Sequence, residues 1–401
     1  MTMKVSQLYL YPIKSLRPTS LDTAVLTSAG LQFDRRFMLL KIEGEDGPKQ
    51  TLENMHIPHY PEMGLFQTAV EFPKDDDEGK VLVTYNPPRP QDVSDPKLRE
   101  IKHLEVPLCP SVKNKRQIPV VMHKSPTTGY DMGPKYNDWF SECFGFPVIL
   151  AYLGSNSRKV LGTMAPEKRN KTPWWRIWYE ALGQIPNKAI PLLLIWFYLL
   201  IRAIDIPINL IGNSLAPQIA FPAAAAILTS WVWATHVLFL RLHVQTRISF
   251  ADCAPYLVIS QSSIDNVSAR LPEGKEMDHT KFRPNIVVSG ADSAFEEDFW
   301  TELNVGSTKS RLLLTGNCVR CQSLNVDYQT GGMAKGETGT VLKKLMKDRR
   351  VDRGAKFSPV FGRYSFLHWT GHGDRIRVGD EVNVVARSKE RTITDWPGLT
   401  N

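Results

Sequence analysis

The chain has 401 residues, of which 42% are hydrophobic and 22% charged. That length allows two or three domains with cores of their own, and the composition excludes collagen-like, repeat-array and wholly disordered classes. A formal net charge of +8 permits an anionic ligand or an acidic partner. No arginine-rich tract, zinc-finger spacing or aromatic RNP-type motif accompanies it, so no nucleic acid is expected as partner. The cysteines Cys109, Cys143, Cys253, Cys318 and Cys321 are too sparse for a disulfide framework and suggest a reducing compartment. The first residues have no apolar signal core and no arginine-rich leader, so no classical targeting peptide is expected.

Residues 1–125 read as β-rich. Short apolar stretches at Lys4–Tyr11, Leu21–Leu26, Phe37–Ile42 and Val81–Tyr85 alternate with turn-forming clusters. Such spacing predicts a small β-barrel-like domain or a sandwich. Residues 126–167 open or lead into a second domain, and Asp138–Phe144 predicts an amphipathic helix stopped by Gly145. After residue 248 strands are predicted at Tyr256–Ser260, Ile286–Val288, Arg311–Leu314, Phe361–Phe366 and Arg377–Val385. Helices are predicted at Ser262–Leu271, capped by Ser262 or Ser263, and at Ala294–Leu303. The fold class is therefore α+β and β-rich, with a second domain core over 248–390 and a tail over 391–401. No Gly-x-Gly-x-x-Gly follows a strand, and Gly331–Gly336 lacks the lysine of a P-loop.

A hydrophobic insert over 168–247 interrupts this pattern. It is aromatic at Trp174, Trp175 and Trp178, apolar over Ile190–Ile201, and free of acidic, lysine and arginine side chains for about 22 residues over Ile219–Leu240. A helix of that length crosses a ~30 Å hydrocarbon core. If the flanks belong to one domain, both ends lie on one side, so two spans or a re-entrant hairpin are allowed and one span is not. Lys168, Arg169, Lys171, Arg176 and Lys188 before it, with Arg241 and Arg247 after it, favour both ends in the cytosol. Arg202 and Asp205 make the first stretch the poorer span. Membrane association through 189–240 is the expectation, and a buried helix of a large domain is the alternative.

The densest chemistry lies in Cys318-Val319-Arg320-Cys321. By spacing alone it is half a zinc site, a redox dithiol, a soft-metal thiolate or two buried structural cysteines. Arg320 beside the thiols favours the anion. No second cysteine or histidine pair sits at zinc-ligand spacing.

Arg320-Cys321 followed by Val326-Asp327 and Thr330-Gly331 resembles the signature of MOSC domains, found at the C-terminus of molybdenum cofactor sulfurases. Phe282-Arg283-Pro284-Asn285-Ile286-Val287-Val288-Ser289-Gly290 resembles a second block of that family. Tyr11-Pro12-Ile13-Lys14-Ser15 and Gly30-Leu31-Gln32-Phe33-Asp34-Arg35-Arg36-Phe37 resemble its N-terminal β-barrel domain. The order of the blocks is similar to that in the mitochondrial amidoxime-reducing component family and covers nearly all the chain outside the insert. Tyr328-Gln329 replaces the usual Pro-Asp, and Val319 replaces a serine of the amidoxime-reducing proteins.

The resemblance implies a molybdenum cofactor, with Cys321 as the thiolate on the metal. It implies Lys14, Ser15 and Arg36 for the terminal phosphate of the pterin, and Arg283, Asn285 and Arg320 for the pterin itself. Asp252 aligns with an acidic position near the metal, where a carboxylate shuttles protons; a cap of a turn is the equal alternative. His123 and His279 are further proton carriers that nothing singles out. The implied activity is a two-electron reduction of N-hydroxylated substrates to the amine or amidine and water. No flavin, haem or nicotinamide motif is present, so electrons would come from a separate protein, by analogy a cytochrome b5 and its reductase. The implied location is the cytosolic face of the mitochondrial outer membrane or endoplasmic reticulum. A sulfur-carrier or cofactor-handling protein without turnover is the competing reading.

Overall fold

The computed structural model describes residues 2–44, 50–74, 78–88, 100–166 and 246–399. The membrane-insert expectation over 168–247 therefore falls almost wholly outside the described residues. Among the described residues no helix is long and apolar enough to cross a membrane.

The larger sheet has eight strands. Their order is Thr19–Leu21, Lys4–Leu10, Ile286–Ser289, Tyr256–Ser260, Val360–Leu367, Ser310–Val319, Trp300–Val305 and Val382–Arg387. Every pairing is antiparallel except Tyr256–Ser260 with Ile286–Ser289. The N-terminal strand is thus built into a sheet otherwise formed by the C-terminal half. Val5 pairs with Val288 and Leu8 with Ile286. Val5, Leu8, Ile286 and Val288 are all buried in one apolar cluster with Trp300 and Leu303. Tyr256–Ser260 is buried along its whole length, which explains its unbroken apolar sequence.

A five-stranded sheet runs Gln117–Met122, Ser125–Asp131, Val148–Tyr152, Phe37–Glu43 and Thr51–Asn54. A three-stranded sheet joins Phe66–Glu71, Lys80–Tyr85 and Lys102–Pro107. Burial alternates along Gln117–Met122, with Ile118, Val120 and Met122 turned inward, the period of a half-covered strand. The expected boundary at residue 125 falls at the turn of a hairpin whose sheet continues to Tyr152. The helix covers Pro134–Phe144 and ends on Gly145 in the left-handed region at φ 77°. It begins four residues before the expected Asp138, because Pro134 presets the first turn. Asp131 also accepts from Gly133 N–H and Asn137 Nδ2, both at 2.8 Å.

Three expectations are corrected. Ala294–Leu303 is not a helix: a 3-10 turn at Glu296–Phe299 leads into the strand Trp300–Val305. Trp300, Leu303 and Val305 are buried, and the strand's pairing with Val382–Arg387 slips between Trp300 and Leu303. A bulge of this kind gives a strand the three-residue spacing that mimics a helical face. The strand expected at Arg377–Val385 is two, Arg375–Arg377 and Val382–Arg387, separated by a turn with Gly379 at φ 93°. Finally, the helix after Tyr256–Ser260 covers Gln261–Ser268, and its cap is Ser260, whose Oγ accepts from Ser263 N–H at 3.2 Å.

Because the N-terminal strand shares the C-terminal sheet, we predict that the described core unfolds in one cooperative transition. Leu8→Ala, which empties space between the two halves, is expected to cost about 2–5 kcal/mol. The loss should appear equally in far-ultraviolet and tryptophan signals during denaturant titration; separate transitions would contradict a shared core.

Candidate active site

The Ser310–Val319 strand delivers the two cysteines into different surroundings. Cys318 is buried and Cys321 exposed. Arg320 N–H donates to the Pro359 carbonyl at 2.8 Å, which holds the backbone against the neighbouring strand. Cys321 then turns out in extended geometry and begins a 3-10 turn over Gln322–Asn325. Its Sγ lies 3.4 Å from Ser323 Oγ. Arg320 makes its direct contact with Cys318, with Cys321 within electrostatic range. Its guanidinium contacts Cys318 Sγ at 2.6 Å, donates to Phe282 O at 2.5 Å, and lies 5.2 Å from the centre of the Phe282 ring. The Tyr364 hydroxyl also faces Cys318. The two thiols are therefore not equivalent, which disfavours a symmetrical dithiol. Among the described residues no group of three or more His, Cys, Asp and Glu side chains could hold a metal by itself.

Cys321 opens onto a cavity of about 530 Å³, a volume that includes its solvent-filled mouth. Of the residues expected at the site, Asp252, Arg283, Asn285, Arg320 and Cys321 share its wall. Asn285 is fully buried and already committed to the protein. Its Oδ1 accepts from Leu257 N–H at 3.2 Å and Arg35 Nη1 at 3.1 Å, and its Nδ2 donates to Tyr9 O at 3.2 Å. Arg283 sits in the left-handed region at φ 58°. It donates to the carbonyls of Ser15 at 3.3 Å and Leu16 at 2.7 Å, so it fixes the loop that carries Lys14 and Ser15.

Lys14, Ser15 and Arg36 do not line this cavity. Lys14 is buried in an ion pair with Asp252. Burial lowers its pKa, against the opposing pull of Asp252. Arg36 lines a separate cavity with Phe33, Cys109 and Tyr152 and donates to Gly154 O. Of the adjacent pair Arg35 and Arg36, it is Arg35 that lines the Cys321 cavity. Phe33 and Arg35 both have positive φ, 71° and 50°. That loop reverses the sides on which successive residues emerge, which two adjacent arginines in a sequence cannot reveal. Arg35 pairs with Asp34, donates to Asn285 Oδ1, and stacks 4.8 Å from the centre of the Tyr11 ring. Arg283 lies 4.6 Å from the same ring centre.

Asp252 faces the cavity half exposed. Enclosure by protein pushes its carboxyl up, but Lys14 and His123, whose Nε2 is 3.4 Å away, outweigh it and hold the group well below the usual carboxylate range. Its backbone is fixed by Arg158, a fully buried residue that gave no signal in the sequence. Arg158 donates to the carbonyls of Met122 at 2.8 Å, Ser249 at 3.2 Å, Asp252 at 2.8 Å and Ala251. Burial lowers its pKa to about 10.

These residues fit an anionic, soft-metal ligand. An exposed thiol stands at a cavity whose wall holds Arg35, Arg283 and Arg320. Arg320 Nε, from a residue of that wall, is buried without a protein partner. Buried donors of this kind are costly unless something satisfies them.

The model of the MOSC domain matches residues 245–383, and that of the MOSC N-terminal beta barrel domain matches residues 2–147. The chain thus carries a MOSC domain preceded by a MOSC N-terminal beta barrel domain. Mitochondrial amidoxime reducing component 2 of Bos taurus is 34% identical over 150 residues, 37% of this chain and 42% of the relative. Mitochondrial amidoxime-reducing component 1 of Homo sapiens is 34% identical over 145 residues, 35% of this chain and 40% of the relative. The molybdenum cofactor sulfurase of Oryza sativa subsp. japonica is 22% identical over 341 residues, 83% of this chain and 29% of the relative. This MOSC protein thus matches less than half the length of each of these three relatives.

Two outcomes follow. In metal-free native protein, iodoacetamide should label Cys321 and the exposed Cys109 first, and Cys253 and Cys318 only after unfolding; peptide mass spectrometry reads the order. Asp252→Asn should destabilise the fold at neutral pH by leaving Lys14 and Arg158 without their nearest counter-charge. A carboxylate with a depressed folded pKa stabilises above its unfolded pKa of about 3.9, and that contribution fades as pH falls toward the folded value. The gap between wild type and variant should therefore be full above about pH 4 and shrink below it; a gap independent of pH would refute the ion-pair account.

Proposed function

We propose that this MOSC protein is a molybdenum-cofactor oxidoreductase that reduces N-hydroxylated substrates by two electrons. The observation that carries the reading is the placement of Cys321. Of the two cysteines in the motif, it alone is exposed, and it stands at the mouth of a cavity lined by guanidinium groups. Cys321 would supply the thiolate to the metal. Arg283 and Arg35, held by Tyr11 and by carbonyl and amide acceptors, present positive charge to an anionic pterin. Arg320 Nε offers a donor that the protein leaves unmatched. When bound, the cofactor would supply the two-electron redox chemistry, and the protein would orient and tune it.

The chain's own residues define the rest. Asp252, ionised between Lys14 and His123, is an acceptor for the N–H or O–H of an amidine or hydroxylamine. At neutral pH so acidic a group gives up protons readily and holds them poorly, so it orients more than it stores. Half-exposed His123 connects it to solvent. Arg158 acts on the substrate only through the backbone of Ala251 and Asp252, and is a positioning residue. Val319 lines the cavity and brings no hydroxyl to it.

The electron donor in this reading is a separate protein of the cytochrome b5 kind with its reductase. Association with mitochondria, and with a membrane through 189–240, extends the same reading. The competing reading is a carrier that handles the cofactor or its sulfur without turnover; the likeness to a molybdenum cofactor sulfurase favours it.

The test is molybdenum and pterin content of protein made in a host that supplies the cofactor. Wild type should hold stoichiometric metal and reduce an N-hydroxylated amidine with a chemical electron donor. Cys321→Ala should lose metal and turnover, whereas Cys318→Ala should keep metal and lose only stability. Cofactor without turnover would replace the reductase by the carrier, and equal effects of the two substitutions would remove Cys321 from its role.

A further inference from the structure

Lys343–Lys356 contains seven basic and two acidic residues. The internal needs of the fold use part of this charge. Arg349 is buried against Asp298, Lys344 pairs with Glu337, and Asp348 pairs with Arg270. Asp352 is buried and receives Asn317 Nδ2 at 2.7 Å and Thr394 Oγ1 at 2.6 Å. Lys343, Lys347, Arg350, Arg353 and Lys356 remain exposed. So the surface charge of this segment is almost wholly positive. Phe357 ends it with 70% of its surface in solvent. That exposed ring adds apolar surface, of the kind enriched in protein interfaces, to the edge of the basic segment.

The segment is fastened to the Cys321 motif. Leu342 N–H donates to Asn325 Oδ1 at 3.1 Å, in the 3-10 turn that Cys321 begins. Val360 pairs with Val319, and Val360 N–H donates to Arg349 O at 2.8 Å. Two backbone pairings of about 5 Å each put Arg349 on the order of 10 Å from Val319. Thus the basic segment is anchored at two points beside the strand end and turn that carry Cys321.

We infer that this basic segment, Lys343, Lys347, Arg350, Arg353 and Lys356 with Phe357, is the docking surface for an acidic electron-transfer protein. The inference rests on the reductase reading in one respect: a two-electron reduction needs a donor that the chain does not carry. Electron transfer weakens steeply with distance, so the donor must approach beside Cys321, and the charge there selects an acidic face. Long-range attraction of this kind sets encounter rate and orientation, and Phe357 supplies apolar contact at the end of the basic segment.

The test uses the full chain loaded with cofactor, beside Lys347→Glu/Arg350→Glu/Arg353→Glu and Phe357→Ala. The probe is the soluble haem domain of a cytochrome b5, as an acidic donor. Binding is read by calorimetry, and turnover is driven in parallel by that domain and by dithionite-reduced methyl viologen. The triple variant should bind the haem domain about tenfold or more weakly at low ionic strength, with the gap closing in high salt. Its viologen-driven turnover and thermal melting should match wild type. Equal binding of the haem domain by wild type and triple variant overturns the proposal. So does binding to phosphatidylserine vesicles that the triple variant loses while its affinity for the haem domain is unchanged, which would make the segment a membrane contact. Absence of viologen-driven turnover in wild type sinks the reductase reading separately, and the binding comparison still decides the surface.

Discussion

The side chain of Asn285 is a fully buried amide in contact with three segments distant in sequence. It accepts from the backbone of Leu257, accepts from Arg35, and donates to the backbone of Tyr9. A buried amide cannot leave these groups unmatched without losing about 1–3 kcal/mol for each. Its three bonds therefore act as a registration device. They hold the end of the N-terminal strand, the parallel pair Tyr256–Ser260 and Ile286–Ser289, and the guanidinium of Arg35 in one arrangement. The cavity exists because those three meet. This is a structural task, and it leaves Asn285 less free to serve a ligand than its place in the motif suggests.

Around that clamp the protein collects more positive charge than it neutralises. Lys14, Arg35 and Arg158 are buried near Asp252 and Asp34, and Arg283 and Arg320 add to them. Buried cations are expensive, and each here is compensated differently. Arg158 relies on four carbonyl oxygens, and Lys14 on one carboxylate. Arg283 relies on two carbonyls and an aromatic face, a combination suited to the planar, weakly hydrated guanidinium. Such a surplus lowers the energy of an anion in the cavity and raises that of the empty protein. The arrangement is what an anionic pterin with a soft metal would favour.

The asymmetry of the two cysteines arises from a strand end. Along Ser310–Val319 the side chains alternate or slip at bulges, and Cys318 falls on the packed side with Phe282, Leu324 and Phe361. Three residues later the backbone has left the sheet, and Cys321 faces solvent. Arg320 lies between them and divides its fork between the buried thiol and the Phe282 carbonyl. Position along the chain left open which thiol it would meet; the bend of the backbone decided it.

Much of the architecture was legible in the sequence because it follows from local rules. Short apolar stretches between turn-forming clusters marked Val81–Tyr85 and Phe37–Ile42, Gly145 marked a helix end, and the block at Arg320-Cys321 marked the MOSC domain. Helix and strand became confused where a bulge gave Trp300 and Leu303 a three-residue period. The side of the chain on which Arg35 or Arg36 emerges could not be read, since two positive φ angles in their loop decide it and those angles are enforced by packing against Tyr11 and Asn285. Nor could the burial of Lys14 by Asp252, or the role of Arg158, whose partners are carbonyls more than thirty or ninety positions away. Residue type and spacing determined which chemistry the chain carries. Tertiary structure decided which of those groups share a cavity, because hydrogen bonds to backbone carbonyls and buried charge compensation join segments that the sequence keeps apart.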